Sequence, residues 1–340
     1  MPGCALSEAV AALPAAEDPL ALSLNENPYP PLPAVRAALT ASIGAVNRYP
    51  EFMPQRLRSL IARRVGVADE QVILGAGATG VVLQILQTVT TPGDTMVMSY
   101  PTFDGYPIFA SMARLRSVTV ALDRHGHNDL DGLAAAAQRA RVVVLCRPHN
   151  PTGTIESVAD VERFLTRVPS DTVVILDEAY VEFLDSTLRV DAADLVRRYP
   201  NLVVVRTFSK AYGLAGLRIG YGFCGSPMAG RMWSMQLPFG LGITALVAVA
   251  ASYDAEDQLQ QRVTQINKEG AYLRARLRSM GVYCTDSHAN FIYLPGRARP
   301  WSDVFDVGSL RVREYADGGA RVTVGNRQSS RAVLTAIGRV

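Results

Sequence analysis

Excess charge of either sign is missing from this chain. Its 340 residues carry 34 Lys plus Arg and 31 Asp plus Glu, a formal net charge of +3 at pH 7. Proteins that hold nucleic acid gather Lys and Arg into a patch or stripe. The densest basic stretches here, Arg56–Arg64 and Arg274–Arg278, are interrupted by apolar residues at helical spacing. They read as solvated helix faces, and no nucleic-acid partner is expected. Cysteine is scarce: Cys4, Cys146, Cys224 and Cys284 form no CxxC pair and no disulfide framework. Metal-ligand spacing is missing too. His125 and His127 lie together without a Cys or HExxH partner, so a surface loop and no metal are expected. The longest apolar stretch, Leu237–Ser252, holds Pro238, Gly240 and Gly242 and falls short of the ~20 residues of a spanning helix. The opening MPGCALSEAVAALPAAEDPL has no basic n-region and is broken by Glu8, so no signal peptide is expected. A reducing cytoplasm is the expected compartment.

What is present is an ordinary globular composition, 49% hydrophobic and 19% charged. Disorder needs fewer apolar residues and more net charge. The 27 Gly and 20 Pro are far too few for a collagen-like chain. Single cores stop growing near ~250–300 residues, so the length allows one large or two medium domains. The slightly low charge hints at surface buried in an oligomer.

Strand and helix signals alternate through the middle. Gln71–Leu74 reads as a strand, followed by Gly75-Ala-Gly-Ala-Thr-Gly80 and a helix through Val89. Thr95–Ser99 and Ser117–Ala121 read as strands around a helix over Phe103–Ala113, and Leu130–Arg139 reads as a helix. Arg141–Cys146, Thr172–Leu176 and Leu202–Val205 are continuous β-branched runs, the pattern of strands buried on both faces. The alternation implies βαβ units and a mostly parallel sheet. After about Gly240 a long charged helix is expected from roughly Ala255 to Met280. Short strands near Asn290–Leu294, Leu310–Arg313 and Arg321–Val324 and a helix from near Ser329 suggest a smaller α+β unit. No internal repeat is visible.

Ligands of open parallel sheets bind beyond the carboxyl ends of the strands. Asn150, Asp177, Tyr180 and Lys210 follow such ends, as does the Gly-rich loop. Each has a bland reading. Asp177 suits a helix N-cap. Asn150-Pro-Thr-Gly suits a turn. A lone Lys210 would be a solvated surface residue. In Arg206-Thr-Phe-Ser-Lys210, however, hydroxyls stand at 207 and 209 and Arg218 follows eight residues on. Two hydroxyls, an Arg and a Lys suit an anionic cofactor held beside an amine nucleophile.

With His149-Asn150-Pro-Thr-Gly153 and Asp177-Glu-Ala-Tyr180, this set resembles the pyridoxal-phosphate fold type I aminotransferases, and among them the histidinol-phosphate aminotransferase family. Ser23-Leu-Asn-Glu-Asn-Pro28, Asn47-Arg-Tyr-Pro50 and Arg321-Val-Thr-Val-Gly325 fit as well, so the resemblance runs from about residue 22 to the C-terminus. It implies a mostly parallel seven-stranded sheet sandwiched by helices, with a smaller α+β domain. The expected division is an N-terminal segment over 1–30, a cofactor domain over 31–240, and a small domain over 241–340 packing with that segment. Lys210 would be the Schiff-base lysine and proton carrier, an amine of lowered pKa. Asp177 would pair with the pyridinium nitrogen; Glu178 is the adjacent alternative. Tyr180 and Asn150 would bond the cofactor phenolic oxygen, and Phe103 would stack on the ring, with core packing as its rival. Ala78 and Thr79, opening a helix, would meet the phosphate together with Thr207, Ser209 and Arg218. Tyr49 would reach the phosphate of the neighbouring subunit, making a homodimer with a shared site. Arg321 would bind the substrate carboxylate or phosphate, with Arg313 and Arg327 as competitors, and Asn25 would line the substrate side.

The sequence also departs from that family. Residues 1–28 contain no tyrosine, Thr79-Gly80 stands where an acidic pair is usual, and His149 replaces a more usual Asn. The expected reaction is ping-pong amino transfer from histidinol phosphate or an aromatic or related amino acid to 2-oxoglutarate. The alternatives are a threonine-phosphate decarboxylase-like reaction, oxidation or elimination on the same fold, or a non-catalytic binding protein.

Overall fold

The β-branched runs become strands covered on both sides. In the computed structural model, which describes residues 14–306 and 309–339, seven strands form one sheet. They are β1 (Val72–Ala76), β2 (Thr95–Tyr100), β3 (Arg116–Ala121), β4 (Val142–Cys146), β5 (Val173–Asp177), β6 (Leu202–Thr207) and β7 (Ile219–Cys224). Cys4 and the apolar opening lie outside the described residues. The order is β1-β7-β6-β5-β4-β2-β3. All pairings are parallel except those of β7, which runs antiparallel to β1 and β6. Successive residues of β4 feed opposite cores: Val143 and Leu145 face one, Val142 and Val144 the other. A strand with two dry faces has no polar position, so its sequence runs apolar throughout. Strand β7 escaped the sequence reading because its glycines break such a run.

The helices are α1 (Pro33–Ser42), α2 (Gln55–Val65), α3 (Gly77–Val89), α4 (Gly105–Met112), α5 (Leu130–Ala137), α6 (Val158–Arg167), α7 (Ala192–Arg198) and α8 (Ser226–Trp233). Helices α9 (Ile243–Asp254), α10 (Glu256–Ser279), α11 (Ser302–Phe305) and α12 (Arg327–Gly338) follow. Their starts are written locally. Asp129, Ser157, Asp191 and Asn326 each accept a backbone N–H of the next turn through their side chains. Among the described residues no helix is long and apolar enough to cross a membrane; part of the Leu237–Ser252 stretch folds as α9.

A second, antiparallel sheet has the order β8-β10-β9, from Phe291–Leu294, Ala320–Thr323 and Arg313–Glu314 respectively. Strand β9 thus lies a little beyond the expected Leu310–Arg313. Leu22 N donates to Arg311 O and Thr323 N donates to Leu22 O, so the early chain lies along this sheet. One charged face departs from expectation. Arg58 of α2 is buried, stacks on Trp233 at 3.8 Å, and donates to the carbonyls of Val72 and Glu70. It is a bracket between α2 and β1 rather than a solvated cation.

Candidate active site

Beyond the carboxyl ends of β4, β5 and β6 lies a cleft of about 400 Å³. Asn25, Ala78, Thr79, Phe103, Asn150, Asp177, Tyr180, Thr207, Ser209, Lys210, Arg218 and Arg321 all line it. Residues from seven separate stretches of sequence are brought together, five of them because the sheet order ends those stretches side by side. Tyr49 is the exception. It is 81% exposed, stacks on Phe239 at 4.8 Å, and lines a different groove with Leu241 and Val247.

One end of the cleft is built for an anion. Helix α3 begins at Gly77, placing Ala78 and Thr79 in its first turn, where N–H groups have no helical partner. Arg218 lies against that turn, its Nη2 within 3.5 Å of Thr79 Oγ1 and its Nη1 at 3.4 Å from Ser209 Oγ. Thr207 Oγ1 donates to Ser209 Oγ at 3.0 Å. Space here depends on glycine. Gly77 has φ +77°, and a Cβ on it would stand 2.2 Å from Arg218 Nη2. A Cβ on Gly220 would stand 2.2 Å from Ala78 N.

The floor carries the buried carboxylate. Asp177 ends β5; its Oδ1 accepts from Ala179 N at 2.9 Å and its Oδ2 accepts from Tyr106 Oη. Burial pushes the Asp177 carboxyl up, and the Tyr106 hydrogen bond pulls it back down. Glu178, the alternative, points elsewhere: fully buried, its Oε2 accepts from Arg206 Nε and Nη2 at 2.9 and 2.7 Å, and it does not line the cleft. Alternation along the chain after β5 sends these neighbours to opposite sides.

Lys210 reaches the centre, where its Nζ donates to Leu24 O at 3.0 Å. Burial, then the Arg321 and Arg218 cations, lower its pKa to about 8. Tyr180 Oη accepts from Asn25 Nδ2 at 2.9 Å and from Asn150 Nδ2 at 3.4 Å. Burial pushes the Tyr180 phenol up. Arg321 of β10 donates to Asn150 Oδ1 at 2.5 Å and to Ser23 O at 2.6 Å, while its buried Nε has no protein partner. Of its competitors, Arg327 pairs with Glu269 at 3.0 Å away from the cleft, whereas Arg313 lines it. Asn25 (φ 54°) and Arg218 (φ 52°) both sit in the left-handed region, a strain that clusters at functional sites. Asparagine tolerates that conformation better than most residues.

The sequence reading missed Tyr106, although it stands three residues after Phe103, in the first turn of α4. It also missed Asp104, and it weighed Arg313 only as a rival of Arg321. His149 is buried, its Nε2 at 3.0 Å from Pro101 O, and burial lowers its pKa to about 4; it braces the turn and does not line the cleft.

An anion cradle, a buried carboxylate, an amine of lowered pKa and an aromatic wall at Phe103 suit pyridoxal phosphate, and fold and cleft together define a fold type I pyridoxal-phosphate enzyme. The family model for aminotransferase class I and II matches residues 17–335. An aromatic amino acid aminotransferase from Streptomyces coelicolor is 40% identical over 321 residues, covering 93% of this chain and 89% of that protein. One from Mycolicibacterium smegmatis is 36% identical over 316 residues, covering 92% and 87%. Among solved structures, a histidinol-phosphate aminotransferase from Sinorhizobium meliloti in complex with pyridoxal-5'-phosphate superposes with a TM-score of 0.86 at 24% identity, covering 97% and 95%. This chain belongs to the class I and II aminotransferases and is a pyridoxal-phosphate-dependent enzyme.

Proposed function

We propose that the enzyme transfers the amino group of an aromatic amino acid to a 2-oxo acid, with 2-oxoglutarate as the acceptor. The observation that carries this reading is Arg321. Its guanidinium is buried, two of its nitrogens are held by neutral acceptors, and its Nε is left without a partner. One placed donor edge suits one carboxylate. Leu24, 63% exposed beside Lys210, offers an apolar wall for a side chain. The relatives at 36–40% identity, named aromatic amino acid aminotransferases, support the same substrate class. Histidinol phosphate remains the second reading, supported by the structural likeness and by the Asn-Glu-Asn-Pro segment. The decarboxylase alternative has only a shared fold behind it, with a TM-score of 0.77.

When bound, pyridoxal phosphate supplies an electron sink for charge released at the substrate α-carbon. The chain's residues do the rest. The first turn of α3, with Thr207, Ser209 and Arg218, holds the phosphate. Asp177 keeps a proton on the ring nitrogen, and Tyr106 keeps Asp177 ionised and in place. Tyr180 and Asn150 present O–H and N–H donors to the phenolic oxygen. Phe103 covers the ring. Lys210, an amine near neutrality because of its lowered pKa, anchors the cofactor and then carries a proton at Nζ. Arg321 fixes the substrate carboxylate, and Asn25 orients Tyr180.

We also propose a homodimer in which Tyr49 serves the partner's phosphate site. Tyr49, Phe52 and Phe239 form an exposed apolar cluster, the kind of patch an interface covers. The free, buried thiols of Cys146, Cys224 and Cys284 agree with a cytoplasmic setting.

The test is glutamate formation from 2-oxoglutarate with a panel of donors. Phenylalanine, tyrosine and tryptophan should give the highest kcat/KM. A higher value for histidinol phosphate would move the enzyme to the second reading, and no glutamate from any donor would end the aminotransfer proposal.

A further inference from the structure

Arg313 and Arg321 are direct cross-strand partners in the β9–β10 pairing, and both line the cleft. Their guanidinium carbons lie 5.8 and 6.0 Å from the centroid of the same ring, Tyr315. Residues opposed in this way project from the same face with Cβ atoms about 5 Å apart, and like charges placed so repel. The partners of Arg321 are the neutral oxygens of Asn150 and Ser23. The charge relief comes from outside the β8-β10-β9 sheet. Asp104, the residue just before α4, pairs with Arg313 at 3.0 Å and also lines the cleft. Glu26, a second carboxylate in the cleft wall, acts on Lys210. The Arg313–Arg321 pair therefore carries two fixed positive charges and one paired negative charge, that of Asp104.

We propose that Asp104 is a specificity-determining residue that limits the substrate's anchoring group to a single negative charge. This inference rests on the reading of Arg321 as the anion-binding residue of an aminotransferase. A carboxylate on Arg321 balances the remaining charge and leaves the Asp104–Arg313 pair intact. A dianionic phosphate on Arg321 needs Arg313 as well, and to get it must displace or face the Asp104 carboxylate. The pair is half-exposed on both sides, 47% for Arg313 and 46% for Asp104, so it is weak enough to yield. Asp104 then acts as a graded filter against phosphate-bearing donors and not as a steric block.

The test is calorimetric titration of the cofactor-loaded enzyme with two probes, inorganic phosphate and 3-phenylpropanoate. The bound cofactor fills its own phosphate cradle, so added phosphate reports on the substrate side. Asp104→Asn should tighten phosphate by about fivefold, the upper end for one half-exposed ion pair, and change 3-phenylpropanoate less than about twofold. Asp104→Glu should restore the original preference. Asp104→Asn combined with Arg313→Gln should show no gain. An unchanged phosphate affinity, or an equal change for both probes as a merely structural role would give, overturns the proposal. The titrations need no turnover, so they stand apart from the donor screen: inactivity toward aromatic donors would defeat the substrate assignment while leaving this result readable.

Discussion

Arg321 Nη1 donates to Asn150 Oδ1, and Asn150 Nδ2 donates to Tyr180 Oη. The arginine proposed to meet substrate is thus wired to the two groups proposed to meet the cofactor's phenolic oxygen. Occupying Arg321 pulls on the same amide that holds the Tyr180 hydroxyl.

Replacing Arg321 with Ala removes a charge-assisted contact worth about 1.5–3 kcal/mol, so KM for carboxylate substrates should rise roughly 10- to 100-fold. Asn150→Ala should raise KM less, but it should also shift the pH at which the bound cofactor's visible absorbance changes. Steady-state kinetics and a spectrophotometric titration separate the two. An unchanged KM in Arg321→Ala would move the carboxylate to Arg313.

Tyr106→Phe keeps the ring and removes the donor to Asp177. That hydrogen bond lowers the Asp177 carboxyl against the upward push of burial. Its loss raises the pKa further, so Asp177 stays ionised only above a higher pH. The acid limb of the kcat profile should move up, and kcat at neutral pH should fall by about tenfold, for a lost bond of about 1–2 kcal/mol to a buried charge. A profile that stays in place would remove Tyr106 from the mechanism.

Gly77→Ala should strike the phosphate end. The added Cβ would meet Arg218 Nη2 at 2.2 Å in a backbone conformation that costs alanine about 1 kcal/mol. Cofactor affinity should drop by at least about tenfold, measured by absorbance during dialysis. Equal retention in variant and parent would show that Arg218 swings aside freely.

Lys210 makes the cofactor-free protein sensitive to pH. Its folded pKa of about 8 lies below the ordinary 10.5. The unfolded chain therefore binds more proton between these values, and the penalty is fully present below about pH 8 and fades by about pH 10.5. Cofactor-free Lys210→Met should be more stable than the parent at pH 7 by on the order of 2 kcal/mol, after discounting for solvent in the cleft. The gap should close on the alkaline side. His149 acts in the same direction lower down: with its pKa lowered to about 4, the folded state loses stability as pH falls from about 6.5. Denaturant unfolding across the pH range checks both.

Much of this site was legible because parallel strands end where ligands sit. Lys210, Asp177 and Asn150 follow apolar runs that sequence alone marks as strand ends, and the cleft gathers all three. What stayed hidden depends on pairing between distant segments. Strand β7 is glycine-broken and antiparallel, and its place between β1 and β6 is set by those partners. Tyr106 reads as one more core aromatic until β5 brings Asp177 under its hydroxyl. Arg58 sits in a basic helix stretch, and the carbonyls of Val72 and Glu70 that bury it are invisible in that stretch. The facing of Arg313 and Arg321 needs the β9–β10 register, which a two-residue strand does not announce.

The role of Lys210 can be tested at a single bond. The loaded enzyme, mixed with phenylalanine in deuterated water without acceptor, should exchange the substrate α-proton as Lys210 Nζ takes it up and returns it. Lys210→Ala should still hold the cofactor in the cradle at Thr207, Ser209 and Arg218, and exchange should fall by about 10²- to 10⁴-fold, the usual contribution of a placed general base. Exchange at the parent rate in Lys210→Ala, with cofactor bound, would contradict the assignment of the proton to Lys210.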